Sequence, residues 1–293
     1  MRVLLAAPSS PARLHNLVPL AWALRTAGHD VKIAGRTSFV DEILSTGCVA
    51  VDLEDGDGTD LAESAALVEF AELWRPGVVV SDAAAPAGTA AAEAVEAVAV
   101  RLLGPLDEPG AGFDTVPPSL RDGAAGARPV RHVPYFGPVV VPGWLRRKAR
   151  RNRVLLSLTD ATPAGPVFDA VASLDAEVLW ATDPARIPAG VTMPPNVRLV
   201  DAAPPAAVLP TCTAVIHDGD ANLALAAVTH GLPQLSLTET AIGARIAAAG
   251  AGEVGPAERA GELASWRGGA EAVRDEIAAL PAPRAVVAEL LRA

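Results

Sequence analysis

The sequence predicts an α/β protein of two doubly wound, Rossmann-like domains facing a cleft. Three observations predict it. Apolar strands, polar turns and alanine-rich helices alternate through both halves of the chain. Several strand candidates are short, unbroken apolar runs bounded by turn residues, as expected of strands covered on both faces. The length, 293 residues, suits one large domain or two smaller ones, and the repeated alternation favours two.

Arg2 to Ala7 reads as a buried first strand and Pro8 to Pro11 as the loop after it. Leu17 to Ala27 has helical spacing, Gly28 ends it, and His29 to Ala34 is the next strand. Strand, loop, helix and strand in this order imply a right-handed crossover and a parallel pair. Leu61 to Trp74 predicts a second helix, broken by Arg75, Pro76 and Gly77. Val78 to Asp82 is a buried strand ending on a carboxylate, Ala87 to Ala97 a helix, and Ala99 to Leu103 a strand. Ligands of such sheets sit at the C-terminal ends of the strands, so Ser9 to His15 and Asp82 belong to one crevice. Pro105 to Arg131 has no sustained periodicity and reads as loop.

The second half repeats the alternation. Strands are expected at Arg153 to Leu158, Glu177 to Ala181 and Asn196 to Val200, with a helix at Val167 to Leu174. Ala214 to Gln234 is the most informative stretch. Ala214 to Ile216 is a short apolar strand, and Asp218 or Asp220 can cap the helix Ala221 to His230. Gly231 suits a left-handed cap and Pro233 prevents continuation. A strand feeding a helix through a polar turn favours an anion at the helix N-terminus. Arg245 to Ala249 and Leu280 to Leu291 read as further helices. The expected organisation is residues 1–132, a linker at 133–153, and residues 154–293.

Hydrophobic residues make up 51% of the chain, much of it alanine, and aromatics only 4%, so packing relies on small side chains. The net charge of −10 argues against nucleic acid and acidic membranes as partners. Arg146 to Arg153 carries six basic residues in eight, which on an acidic chain reads as a solvated linker. Cys48 and Cys212 are too few for a disulfide framework or a metal cluster and read as buried thiols. Val3 to Ala7 is too short for a signal peptide and no apolar run reaches membrane-spanning length, so a cytoplasmic location is expected.

The turn His217-Asp218-Gly219-Asp220 and the tail Gly231-Leu232-Pro233-Gln234 resemble the donor-diphosphate segment of GT-B glycosyltransferases, in the branch that attaches deoxysugars to bacterial macrolides and related aglycones. Leu17 to Val31 resembles that branch's first helix and second strand. Val133 to Leu145 resembles its interdomain segment, and Leu280 to Leu291 its closing helix. The resemblance spans the chain, with deletions in the middle and near Thr240. It implies a GT-B-like fold and an aglycone or polyketide-like substrate. The family's acceptor-activating histidine falls on Arg13, which stays protonated. Asp82 matches the aspartate that partners that histidine, so an Arg13–Asp82 ion pair is expected, with His15 as a substitute base. The family's Gly-Thr pair after Leu158 is here Thr159-Asp160, and its sugar-contacting segment is shortened to Thr238 to Ala241, with Glu239 inside it.

Within this frame the charges are unusual. Asp218 and Asp220 bring carboxylates to where a diphosphate sits. At ~4 Å each like-charge contact costs about 1 kcal/mol in water and up to ~4 near a protein surface. Two of them offset much of the ~8 kcal/mol of micromolar binding. One reading is therefore acid–base chemistry (cyclisation, dehydration or isomerisation) on a natural-product substrate, with Asp160, His217, Asp218, Asp220, His15 and Asp82 as catalytic groups and Ser10, Arg13 and Glu239 as substrate contacts. It needs no cofactor and no metal, since three ligands on one tight turn do not converge on an ion. A second reading is an active glycosyltransferase using a nucleotide diphosphate sugar, where magnesium could screen the carboxylates. A third is a non-catalytic partner of a glycosyltransferase; a homodimer is also open.

Overall fold

The computed structural model describes residues 1–54, 65–121, 126–146, 149–159, 162–183, 187, 192–200 and 205–292. The chain divides into two units, Met1–Pro138 with Ala279–Ala293, and Val139–Ala278.

In the first unit β1 (Arg2–Ala6), α1 (Pro11–Thr26), β2 (Asp30–Gly35), α2 (Val40–Ser45), β3 (Val49–Asp52), α3 (Ala65–Trp74), β4 (Val78–Asp82), α4 (Ala87–Ala94) and β5 (Val98–Leu103) alternate, with α2 and β3 in a stretch for which the sequence predicts no element. Helix α1 starts earlier than its apolar spacing suggests. Pro11 takes a first-turn position where its missing N–H costs nothing. The buried stripe then runs Leu14, Leu17, Val18, Ala21 and Leu24. Residues 61–64 of the expected second helix lie outside the described residues. The stretch expected as loop contains two short strands, β6 (Gly112–Asp114) and β7 (Ala127–Pro129), which extend a seven-stranded sheet of order β3-β2-β1-β4-β5-β6-β7. Its pairs are parallel, with Val3 opposite both Val31 and Val78. The pleat sends Val3 and Leu5 into a core with α1, and Leu4 and Ala6 into one with α3 and α4.

The second unit holds β8 (Asn152–Ser157), α5 (Ala164–Val171), β9 (Ala176–Ala181), β10 (Val197–Val200), α6 (Pro205–Val208), β11 (Ala214–His217), α7 (Ala221–Thr229), β12 (Gln234–Ser236), α8 (Ala241–Ala248), β13 (Gly252–Val254) and α9 (Arg267–Ala279). Its six strands are parallel in the order β10-β9-β8-β11-β12-β13. Phe168 of α5 meets Trp180 of β9 edge to face at 5.0 Å in a core shared with Val154, Leu156 and Ile216. As expected, Gly231 ends α7 in the left-handed region at φ +68°.

The closing helix corrects the expected boundary. α10 (Pro283–Leu290) returns to the first unit, where Val286, Val287 and Leu290 join the core beside α1. Its apolar stripe decides its membership. Both cysteines are buried thiols, and burial pushes Cys212 up to about 12. Among the described residues no helix is long and apolar enough to cross a membrane.

Candidate functional site

In each sheet the chain order reverses once, and the loops diverging there open a crevice. In the first unit the reversal lies between β1 and β4; in the second it lies between β8 and β11. A short polar contact bridges each of these two switch points.

At the β1/β4 point the first turn of α1 carries Arg13 and the last residue of β4 is Asp82. Arg13 Nη1 donates to Asp82 Oδ1 at 2.6 Å and to Asp107 Oδ1 at 2.7 Å. The expected ion pair is present, with a second carboxylate that the sequence did not reveal. Asp107 also accepts from the Gly104 amide at 2.8 Å, and Asp82 from the Ala84 amide at 2.8 Å. Burial pushes the Asp82 carboxyl up, with Asp107 acting the same way, while the Ala84 amide and Arg13 oppose the shift. Burial works against the Arg13 charge, but Asp107 and Asp82 outweigh it and raise its pKa. The side chain of Asp82 is only 1% exposed against 20% for Arg13, so Asp82 is a brace and not an accessible base, which corrects that expectation.

A second guanidinium supports the first. Arg121 Nε donates to Asp114 Oδ2 at 2.8 Å and Nη2 to Asp114 Oδ1 at 3.1 Å. Its Nη2 also holds the Gly104 carbonyl at 2.6 Å, and its Nη1 the Asp107 carbonyl. Ser10 is the N-cap of α1 with no capping bond from its side chain. His15 does not substitute for a base at this crevice. Two residues apart on a helix, Arg13 and His15 point to different sides. His15 faces Tyr135 edge to face at 5.1 Å and Glu42 at 3.5 Å. Burial lowers its pKa against the opposing pull of Glu42.

At the β8/β11 point Thr159, two residues beyond β8, faces Asp218, the residue after β11. Asp218 Oδ2 accepts from the Thr159 amide at 2.5 Å and from its hydroxyl at 2.6 Å. Asp220 does something else: its Oδ1 accepts from the amides of Asn222 at 2.9 Å and Leu223 at 3.0 Å, capping α7. Gly219 between them has φ +104°, and a Cβ there would lie 2.9 Å from Thr240 Cγ2, so this turn requires glycine. Glu239 is exposed in the turn between β12 and α8. Asp160 lies outside the described residues.

His217 is fully buried. Its Nδ1 accepts from the Gly219 amide at 3.1 Å, which puts the proton on Nε2, 2.8 Å from Gln234 Oε1. Gln234 Nε2 in turn donates to the Ala224 carbonyl at 3.0 Å, tying β11, β12 and α7 together. Among the described residues the expected acid–base cluster is thus not assembled: His217 is a sealed clamp, Asp220 a cap, and of these three Asp218 alone faces the switch point. Their side chains serve three different sets of partners.

Burial pushes the His217 pKa below the ordinary value, against the Gln234 bond and the charges of Asp220 and Asp218. The folded pKa is therefore below the unfolded one, ~6.5. The contribution to stability is present above that value and is lost as pH falls toward the folded pKa. His15 and His230, also lowered by burial, add to the same fall. Replacing His217 by glutamine is expected to flatten the drop in urea midpoint between neutral pH and pH ~5. An unchanged slope would mean that His217 does not titrate against folding.

The chain matches known proteins over its whole length. Residues 106–159 match the family described as Erythromycin biosynthesis protein CIII-like, N-terminal domain, and residues 166–292 its C-terminal domain. The chain is 31% identical to the TDP-daunosamine transferase DnrS of Streptomyces peucetius, over 99% of this chain and 96% of that protein. It is 30% identical to the tylactone mycaminosyltransferase of Streptomyces fradiae, over 100% and 92%. The first of these alignments runs over 415 positions against 293 residues here, so the relative carries internal stretches that this chain lacks. Among solved structures, the glycosyltransferase SnogD of Streptomyces nogalater superposes with a TM-score of 0.88 at 28% identity, covering 100% of this chain and 99% of that one. The glycosyltransferase VinC, in complex with dTDP, superposes with a TM-score of 0.86 at 28% identity over the same shares. With two parallel-sheet α/β units and matches of this extent, the chain belongs to the EryCIII-like family of GT-B glycosyltransferases of natural-product biosynthesis.

Proposed function

We propose that this protein transfers a deoxysugar from a nucleoside diphosphate to a hydroxyl of an aglycone-like small molecule. The observation that carries the reading is the seat at the β8/β11 switch point. There the amide and hydroxyl of Thr159 both bond to one oxyanion oxygen, that of Asp218. A phosphate oxygen of the donor has the same charge and the same demand for donors, and it takes that place when the donor enters. The names of the similar proteins, a TDP-sugar transferase and a transferase with dTDP bound, support a diphosphate donor. Acid–base chemistry without a sugar donor loses support because His217 and Asp220 are committed elsewhere.

In the transfer the acceptor oxygen bonds to the anomeric carbon while the bond from that carbon to the diphosphate breaks. The diphosphate leaves with the electron pair, and the hydroxyl proton passes to solvent. Arg13 stays protonated and Asp82 is buried against it, so neither takes that proton. The acceptor that fits is one whose hydroxyl ionises by itself, an acidified phenol more than an aliphatic alcohol.

The test is to incubate the protein with a TDP-deoxysugar and a panel of phenolic and aliphatic polyketide aglycones. Chromatography with mass detection would read TDP release and the mass gained by the acceptor. Product is expected with phenols, at a rate that rises through the phenol's own ionisation. Absence of TDP release with every acceptor, together with absence of TDP binding, would sink the reading.

A further inference from the structure

The opposite edge of the second sheet, at the N-terminal ends of its strands, carries a charge pattern that sugar transfer does not use. Arg153 stands near the start of β8, Glu177 near the start of β9, and Arg198 on β10. With Arg150, Arg151 and Asn196 they line an open groove of about 430 Å³, within the size range of small-molecule sites. Four arginines meet one carboxylate there, on a chain whose net charge is −10.

That carboxylate is shared. Glu177 Oε2 accepts from Arg153 Nε at 2.8 Å, and its Oε1 lies 3.5 Å from Arg198 Nη1. Trp144 lies beneath both guanidiniums, with its ring centroid 5.4 Å from Arg153 and 4.4 Å from Arg198, a cation–π contact with each. The Arg153 side chain is only 6% exposed, and its Nη1 finds no acceptor among the described residues. A buried guanidinium with an unanswered N–H is costly unless an oxygen reaches it. Arg150 and Arg151 add two more charges with no carboxylate partner among the described residues.

We propose that this groove binds a small, multiply charged oxyanion of the phosphate class, at a site separate from the Thr159 seat. Arginine suits this role because its planar fork matches phosphate and carboxylate oxygens, and because it stays charged at every relevant pH. The excess of cations calls for a ligand with several charges, such as a diphosphate. Contact with Trp144 holds two of the forks ready before the ligand arrives.

The experiment is calorimetric titration of the full chain with inorganic pyrophosphate at low salt, with citrate as the carboxylate arm. Pyrophosphate is expected to bind in the micromolar range and to weaken as salt rises. Arg150→Glu with Arg151→Glu should weaken it about tenfold or more, while the unfolding midpoint stays unchanged because both side chains lie at the surface. Thr159→Val should leave this binding intact, which separates the groove from the donor seat. Citrate binding as tightly as pyrophosphate would overturn the phosphate assignment. Unchanged binding in the double variant, or loss of binding in Thr159→Val alone, would overturn the site. Tighter binding of a single-stranded oligonucleotide than of pyrophosphate would overturn the small-ligand reading.

Discussion

Replacing Asp218 by asparagine is expected to tighten thymidine diphosphate binding about tenfold or more. The Thr159 amide and hydroxyl form a small anion seat, and the Asp218 carboxylate fills it at 2.5 and 2.6 Å. A diphosphate entering that seat must expel the carboxylate and then remain beside it. A like charge at ~4 Å costs about 1 kcal/mol in bulk water and up to ~4 near a protein surface. Asp218 is half-buried, so the cost lies between these limits. Every ~1.4 kcal/mol is a factor of ten in affinity. Asparagine keeps an acceptor for Thr159 but removes the charge, whereas alanine also empties the seat. Calorimetry should therefore rank Asp218→Ala at or above Asp218→Asn, and both above the native chain. Magnesium should strengthen binding by the native chain more than by the variants, since only the native chain offers a carboxylate to share with the ion. Equal affinities in all three proteins would mean that Asp218 does not guard the seat. No binding by any of them at millimolar nucleotide would remove the donor itself.

Much of this arrangement is legible in the sequence, and the parts that are not share a cause. Parallel strands covered on both faces write themselves as short apolar runs, so Val78 to Asp82 and Ala214 to Ile216 stand out. The stop of α7 is equally local, because Gly231 and Pro233 act through backbone geometry alone. The Arg13–Asp82 pair followed from the resemblance, and its distance is 2.6 Å. Asp218 and Asp220, by contrast, look interchangeable two positions apart. Their divergence into a seat and a cap depends on the left-handed turn at Gly219, which aims them in different directions. His217 reads as catalytic from the resemblance of its turn and from its carboxylate neighbours, and no sequence signal reveals that both its nitrogens are used. Strands β6 and β7 are three residues each and are held by pairing to a sheet already formed, so no periodicity marks them. Asp107 and Arg121 sit in the same unpatterned stretch, and Asp107 finds Arg13 94 positions away in the chain.

Arg121→Leu is expected to destabilise the first unit by about 3–5 kcal/mol, the usual cost of removing one partner of a buried ion pair. Arg121 and Asp114 have side chains only 2% exposed each, and two guanidinium nitrogens reach the carboxylate at 2.8 and 3.1 Å. Leucine replaces the volume but leaves a buried carboxylate with the Val116 amide as its remaining donor among those described. It also frees the Asp107 carbonyl and leaves the Gly104 carbonyl with the Asp107 amide alone. Against a total stability of about 5–15 kcal/mol, this is a large fraction. Urea unfolding followed by tryptophan fluorescence should show an early transition, because the two units need not unfold together. Adding Asp114→Asn removes the uncompensated charge and should recover part of the loss. If the double variant is no more stable than Arg121→Leu, the cost lies in the lost carbonyl bonds and not in the charge. The same substitution reaches the crevice, since Asp107 takes its position from Arg121 behind it and holds Arg13 in front. Arg121→Leu should therefore loosen the Arg13 brace even under conditions where the first unit stays folded.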